Sequence, residues 1–150
     1  MELIPIRDDG STPIHVDSLP AAAHDVLAQT RAHYARVGFL APWVGYLALE
    51  DDIVVGACSF VAAPKDGEVE IAYFAFPGHE GRGVATRMAK RLLNLALKTD
   101  ASVVVKAHTL PEENASTAIL RKLGFSLSGP IIDPEDGEIW VWRRALAARP

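Results

Sequence analysis

Phe76-Pro77-Gly78-His79-Glu80-Gly81-Arg82-Gly83-Val84-Ala85-Thr86 joins an apolar run to an amphipathic one. The run before it, residues 68–76, reads as a strand that stops at Pro77-Gly78. The run after it reads as a helix. Val84, Met88, Leu92 and Leu95 form one stripe, with Arg87, Lys90, Arg91, Asn94 and Lys98 opposite. Gly81 and Gly83 carry no side chain to block a close approach. The helix after them leaves its first N–H groups unpaired and adds roughly half a positive charge there. Such a turn favours an anion, a phosphate above all; the plain alternative is an ordinary glycine turn. The spacing Gly78-x-x-Gly81-x-Gly83 is the reverse of the dinucleotide fingerprint. The Lys-Ser/Thr pair of a P-loop is absent.

Upstream, residues 1–6 read as a first strand, and a helix is expected after Ser18 as its N-cap. Pro20 sits in the first turn, Ala23, Val26, Leu27, Thr30 and Tyr34 keep helical spacing, and Gly38 is the stop. Residues 44–49 and 53–63 read as strands around the turn Glu50-Asp51-Asp52, and Pro64-Lys65-Asp66-Gly67 turns into residues 68–76. Downstream come a buried strand at 102–108, a helix at 113–123 with Gly124 as a left-handed cap, and a final strand pair at 125–127 and 138–144. The order implies an α/β (α+β) fold: one mixed, mostly antiparallel central sheet with helices on both faces. Residues 1–150 are expected to form one domain.

The composition is that of a globular chain, 49% hydrophobic and 23% charged. Its net charge of -4 argues against nucleic acid or an anionic membrane as the main partner. Cys58 is the only cysteine, so an internal disulfide is excluded. The start Met1-Glu2-Leu3-Ile4-Pro5 lacks the cationic head and apolar run of a secretory signal, and no apolar stretch is long enough to span a bilayer. A cytoplasmic location is the expectation. Whether the chain forms a homodimer stays open, and no metal is called for.

Three segments carry a family resemblance. Glu80-Gly81-Arg82-Gly83-Val84-Ala85 resembles the Arg/Gln-x-x-Gly-x-Gly/Ala signature of the GNAT superfamily of N-acetyltransferases, with Glu80 where Arg or Gln is usual. Asn114-Ala115-Ser116 through Leu120, Lys122 and Gly124-Phe125 resembles a segment of its RimJ/RimL-like branch. Glu70-Ile71-Ala72-Tyr73-Phe74 resembles a strand of the same branch. The matches fall in the family's order over about residues 50–142.

The resemblance implies direct transfer of an acetyl group from acetyl-CoA to an amine, borne by a small molecule or a peptide. It implies that Glu80, Gly81, Arg82, Gly83, Val84, Ala85 and Thr86 cradle the diphosphate, with the Glu80 side chain turned away. It implies that the backbone of Phe74, Ala75 and Phe76 bonds the pantetheine and gives one N–H to the oxyanion, a donor worth about 3–4 kcal/mol. Arg82, Arg87 and Lys122 are candidates to reach the phosphates, and Asn114 to hold pantetheine or acceptor. The alternative for Asn114 is a helix cap.

An amine must lose its proton to attack. At pH 7 that costs roughly 4–5 kcal/mol for a lysine and about 1 for an α-amine. Glu70 is the first candidate base, because a carboxylate in a strand read as buried is either paired or functional. His108 is the second; its alternative is a structural histidine. Many GNAT enzymes use a Tyr four residues before the Gly of Gly-Phe as the acid, and Leu120 stands there. The branch resemblance offers Ser116 instead, against the alternative of a solvent-facing serine. Trp43, Trp140 and Trp142 are candidates for the acceptor side, and Cys58 for a small buried hydrophobe. The acidic stretch from Asp133 to Glu138 would suit a cationic acceptor. Two rival readings are a module that binds acyl-CoA without transfer and a nucleotide-binding protein of another fold.

Overall fold

Antiparallel pairing builds the first half of the sheet, with one long helical connection first and short turns after it. The computed structural model describes residues 1–146. Strands β1 (Glu2–Pro5), β2 (Gly45–Glu50), β3 (Ile53–Phe60) and β4 (Glu68–Ala75) follow one another, each antiparallel to the next. Between β2 and β3, Asp51 and Asp52 adopt positive φ, which Asp tolerates because its short side chain bonds locally. Helix α2 (Val84–Thr99) is then a crossover, and β5 (Val104–Thr109) lies parallel to β4. After α3 (Ala115–Lys122), β6 (Ser126–Asp133) and β7 (Gly137–Ala145) form a hairpin whose β7 pairs with β5. The seven strands run β1-β2-β3-β4-β5-β7-β6. This is the mixed, mostly antiparallel sheet implied by the sequence.

Strand alternation assigns the faces. A Cβ at Gly56 would touch Met88 of α2, while one at Gly45 would touch Thr30 and Tyr34 of α1 (Ala21–Val37). Gly45 pairs with Ser59, which has the opposite parity to Gly56 on β3, so α1 and α2 cover opposite faces. Tyr34 pins α1 in place: its hydroxyl donates to the Ile6 carbonyl and accepts from the Gly45 N–H, both at 2.9 Å. On α2 the stripe of Val84, Met88 and Leu92 is buried, and Ala89, Leu93 and Ala96 widen it. Leu120 of α3 and Trp142 of β7 are fully buried, and the Arg121 guanidinium lies 4.9 Å from the Trp142 ring centre.

Several boundaries differ from the sequence reading. Ser18 is not the cap of α1. It closes a 3₁₀ turn, Val16–Ser18, and α1 starts at Ala21 behind Pro20. The residue before a proline is pushed out of helical conformation, and Leu19 is extended. α3 starts at Ala115 rather than 113, because Asn114 caps it. β6 runs to Asp133, well past 127. Trp43 packs edge-on against Phe60 at 4.9 Å and Trp142 is inaccessible, so neither lines an acceptor surface. Cys58 is a buried small hydrophobe, its thiol pushed up to about 12 by burial. Among the described residues no helix is long and apolar enough to cross a membrane, and no group of three His, Cys, Asp or Glu is placed to hold a metal ion.

Candidate active site

The site begins where two strands part. β4 and β5 pair only over residues 68–70 and 104–106. Both continue, to Ala75 and Thr109, without further pairing, so a gap opens in the sheet. The Phe76 N–H donates to the Val55 carbonyl at 2.9 Å, and the Glu70 carbonyl accepts from the Val61 N–H at 2.8 Å. In an antiparallel ladder alternate residues turn both polar groups to the same neighbour. Ala72 and Phe74 therefore also face β3, while Tyr73 and Ala75 turn theirs to the gap. The unpaired edge therefore lies at Tyr73 and Ala75 and not at Phe74 or Phe76: the Phe76 N–H serves β3 and its carbonyl accepts from the His79 N–H, while Phe74 lines the cleft beside Tyr73 and Ala75.

The gap leads into a cleft of ≈ 530 Å³ between β4, the loop before α2, and α3. On the loop side it is lined by His79, Glu80, Gly81 and Gly83, then by Val84, Ala85 and Thr86. Gly83 is the N-cap of α2 at φ +77°, a left-handed conformation that suits glycine, and Gly81 is at φ +72°. No side chain caps α2, and the first amide of its helical ladder to find a partner is Arg87, bonded to the Gly83 carbonyl at 3.0 Å. The N–H groups of the first turn thus stay available to an anion in the cleft. Arg87 differs from expectation, and Arg82 is left free. The Arg82 side chain is exposed and outside the cleft lining. Arg87 is committed to Glu50, with Nε to Oε2 at 2.7 Å and Nη2 to Oε1 at 2.8 Å. That bond holds the Glu50 carboxyl below its ordinary value.

On the helix side, Ala115, Ser116, Ala118 and Ile119 complete the lining. The Ser116 Oγ lies 3.4 Å from the Tyr73 hydroxyl, so Ser116 faces the cleft rather than solvent. Tyr73 is the residue that sequence reasoning missed. Its tyrosine identity stood within a quoted segment, but its contact is 43 positions away. Burial pushes the Tyr73 phenol up, and the bond to Ser116 works the other way. Asn114 is a cap: its Oδ1 accepts from the Thr117 N–H at 3.1 Å, and the Thr117 Oγ1 accepts from the Asn114 N–H at 2.9 Å. It does not line the cleft.

The other two candidates lie on the opposite face. By strand alternation Glu70 and His108 belong to the α1 side of the sheet. His108 Nδ1 is 3.5 Å from Glu70 Oε2, and both side chains are half-buried. Glu70 stands at the last paired register, opposite Lys106. His108, two residues on, lies at the lip of the gap. Hydrogen bonds from the backbone N–H groups of Asp136 and Glu135 hold the Asp133 carboxyl below its ordinary value, with a lesser contribution from His108. Glu68, on the same face, is occupied by Arg143 at 2.6 Å and Lys106 at 3.9 Å.

Comparison with known proteins adds to this geometry. The family described as acetyltransferase (GNAT) domain matches residues 13–126. Among solved structures, an acetyltransferase from Salmonella typhimurium that modifies the N-terminal serine of a 50S ribosomal subunit protein shares 16% identity. Its TM-score is 0.65, over 87% of this chain and 78% of that one. A second Salmonella typhimurium structure, of a putative acetyltransferase with acetyl-CoA, shares 21% identity at TM-score 0.63, over 85% and 75%. A spermidine N-acetyltransferase variant from Vibrio cholerae shares 12% at 0.66, over 80% and 75%. At these identities the likeness is one of fold. The curated proteins contain no sequence match.

Proposed function

Since the chain belongs to the GNAT acetyltransferase family, we propose that it transfers an acetyl group from acetyl-CoA to a primary amine. The observation that carries this reading is the gap between β4 and β5 opening onto a cleft that ends at the uncapped start of α2. The cleft suits the co-substrate at both ends. Backbone N–H groups of Gly83, Val84, Ala85 and Thr86 would hold the diphosphate, and the unpaired edge at Tyr73 and Ala75 would hold the amide-rich arm. Glu80 lines this cleft, and its carboxylate must swing outward when a diphosphate is present, because like charges repel. Acetyl-CoA supplies an activated thioester.

The residues around the gap divide the proton work. On the helix face the paired hydroxyls of Ser116 and Tyr73 donate to the departing thiolate. On the α1 face His108 takes the proton of the incoming amine, and Glu70 fixes the imidazole so that Nδ1 carries the hydrogen and Nε2 is the base. This order reverses the priority given by sequence, since His108 stands nearer the gap. An N-terminal amine needs this help less than a lysine does, by roughly 3 kcal/mol at pH 7. Solved neighbours act on an N-terminal serine and on spermidine, so small amines and peptide termini are both in scope. The reading takes residues 1–150 as one cytoplasmic domain.

The test is release of free thiol from acetyl-CoA in the presence of polyamines, aminoglycosides, amino acids and peptides, with mass spectrometry for the added acetyl group. Transfer to any of them supports the reading. CoA binding without transfer across the whole panel would favour a binding module.

A further inference from the structure

Arg87 has the position of a phosphate ligand and the bonds of something else. It sits one turn into α2, beside the loop that carries the free N–H groups. Its Nε and Nη2 grip both carboxylate oxygens of Glu50, at the end of β2. Its Nη1 reaches back and donates to the Arg82 carbonyl at 2.9 Å, inside the Gly81–Gly83 turn. The planar guanidinium allows one side chain to make all three bonds at once.

We propose that the Glu50–Arg87 pair is a brace for the cofactor loop: Arg87 positions the Arg82 peptide, and with it the N–H groups of Gly83 and Val84, without touching the phosphates. The inference rests on the proposed acetyl-CoA site and adds a positioning role for two residues outside the cleft lining. The turn needs such a tie. Gly78, Gly81 and Gly83 all sit at positive φ, so the loop is rich in residues with wide conformational freedom. A loop of that kind loses affinity by the fraction of time it spends disordered, and a fixed contact removes the loss.

Two arrangements make opposite predictions. If Arg87 braces the loop, loosening it from Glu50 weakens CoA binding. If Arg87 is a phosphate ligand held back by Glu50, loosening it strengthens binding.

The experiment is calorimetric titration of the full chain with CoA, for wild type, Glu50→Gln, Arg87→Ala, Arg87→Lys and the Glu50→Gln/Arg87→Ala double variant. Glu50→Gln and Arg87→Ala should each weaken CoA by about tenfold, and the double variant by no more than the worse single one. Lysine cannot make the three bonds, so Arg87→Lys should resemble Arg87→Ala. KM for acetyl-CoA should rise with kcat changed by less than about twofold, a split that general destabilisation would not produce. In the free protein, backbone NMR order parameters at Gly83 and Val84 should fall in each variant, which reads the brace below the melting temperature of every variant. Tighter or unchanged CoA binding in Glu50→Gln would overturn the brace while leaving the acetyl-CoA site standing. Failure of the wild-type chain to bind CoA would remove the site and the brace together.

Discussion

Replacing Gly83 by alanine tests both the loop geometry and what holds it. Gly83 sits at φ +77° and ψ 8°. An L-residue in that region costs about 1–2 kcal/mol. The added Cβ would also lie 2.8 Å from Arg87 Nη1, closer than real carbons come. A flexible side chain could move aside cheaply, but this one is fixed by two bonds to Glu50 and one to the Arg82 carbonyl. Giving up the exposed Arg82 bond costs about 1 kcal/mol, the ordinary net worth of a hydrogen bond. The sum is about 2–3 kcal/mol. Where the loop relaxes to escape this strain, the N–H array disperses and CoA affinity falls about 30-fold to 150-fold. Where the loop holds, the protein melts earlier instead. Gly81 is the control. It has φ +72°, yet a Cβ added there would meet no protein atom within 4 Å, so Gly81→Ala adds no clash within the protein to the backbone cost. In an Arg87→Ala background, Gly83→Ala should fall to the Gly81→Ala level. Titration calorimetry with CoA, alongside thermal melting by circular dichroism, measures both routes. A Gly83→Ala chain that binds CoA and melts like wild type would refute the argument, as would equal effects at positions 81 and 83.

The paired hydroxyls, the base candidate and one ion pair give three more tests. Tyr73→Phe and Ser116→Ala should each lower kcat about tenfold, with CoA affinity unchanged, and the double variant should lose little more, because the two hydroxyls act as one unit. His108→Gln should lower kcat/KM about 10²-fold, and the loss should be larger for a lysine-like amine than for an α-amine. Glu70→Ala should lower it less, with Glu70→Gln recovering part of the loss by accepting from Nδ1. Glu68 should contribute pH-dependent stability. The Arg143 hydrogen bond holds its carboxyl below the ordinary value of 4.5, so its contribution is present above that pH and disappears as the pH falls through the lowered folded value. The melting-temperature gap between wild type and Glu68→Gln should therefore close in acid, and a gap that stays constant with pH would count against the pairing.

The elements that one segment can specify were readable from sequence. α2 is such a case, because its stripe and its flanking glycines lie within one run. The β2–β3 and β3–β4 turns are others. What stayed hidden depends on distant neighbours. Arg87 reads as a solvated cation or a phosphate ligand on a polar stripe until Glu50 arrives from 37 positions upstream. Tyr73 reads as a strand residue until Ser116 meets it. Which amides of β4 face the gap depends on which neighbour holds the others, and the Phe76 bond to Val55 decides it. Alternation could be foreseen, but its phase could not. Asn114 shows the reverse case, where two local readings were open and the Thr117 pairing chose the structural one.

The division of the sheet into two faces bears on how direct transfer would run. An amine adds to one face of the planar thioester carbonyl, and the tetrahedral intermediate then expels the thiolate, so the group that takes a proton serves the nitrogen and the group that gives one serves the sulfur. A continuous sheet would wall them off from each other. Here Ser116 and Tyr73 meet on the face of α2 and α3, and Glu70 and His108 meet on the face of α1. The opening between them is the stretch where β4 and β5 have lost their pairing, beyond Glu70 and Lys106. Extending the parallel register beyond that point sets His108 level with Ala72 and Thr109 level with Tyr73. Base and acid candidates are thus at nearly the same height along the strands, separated by the thickness of the sheet. A thioester held at the edge of Ala75 would reach both only through that opening. On the proposed reading the acceptor would enter from the α1 side, the face that also carries Phe74, 53% exposed, and, further back along β4, the half-buried carboxylate of Glu70. On that reading an acceptor amine flanked by anions would be disfavoured, because Glu70 and Asp133 would repel a second negative charge.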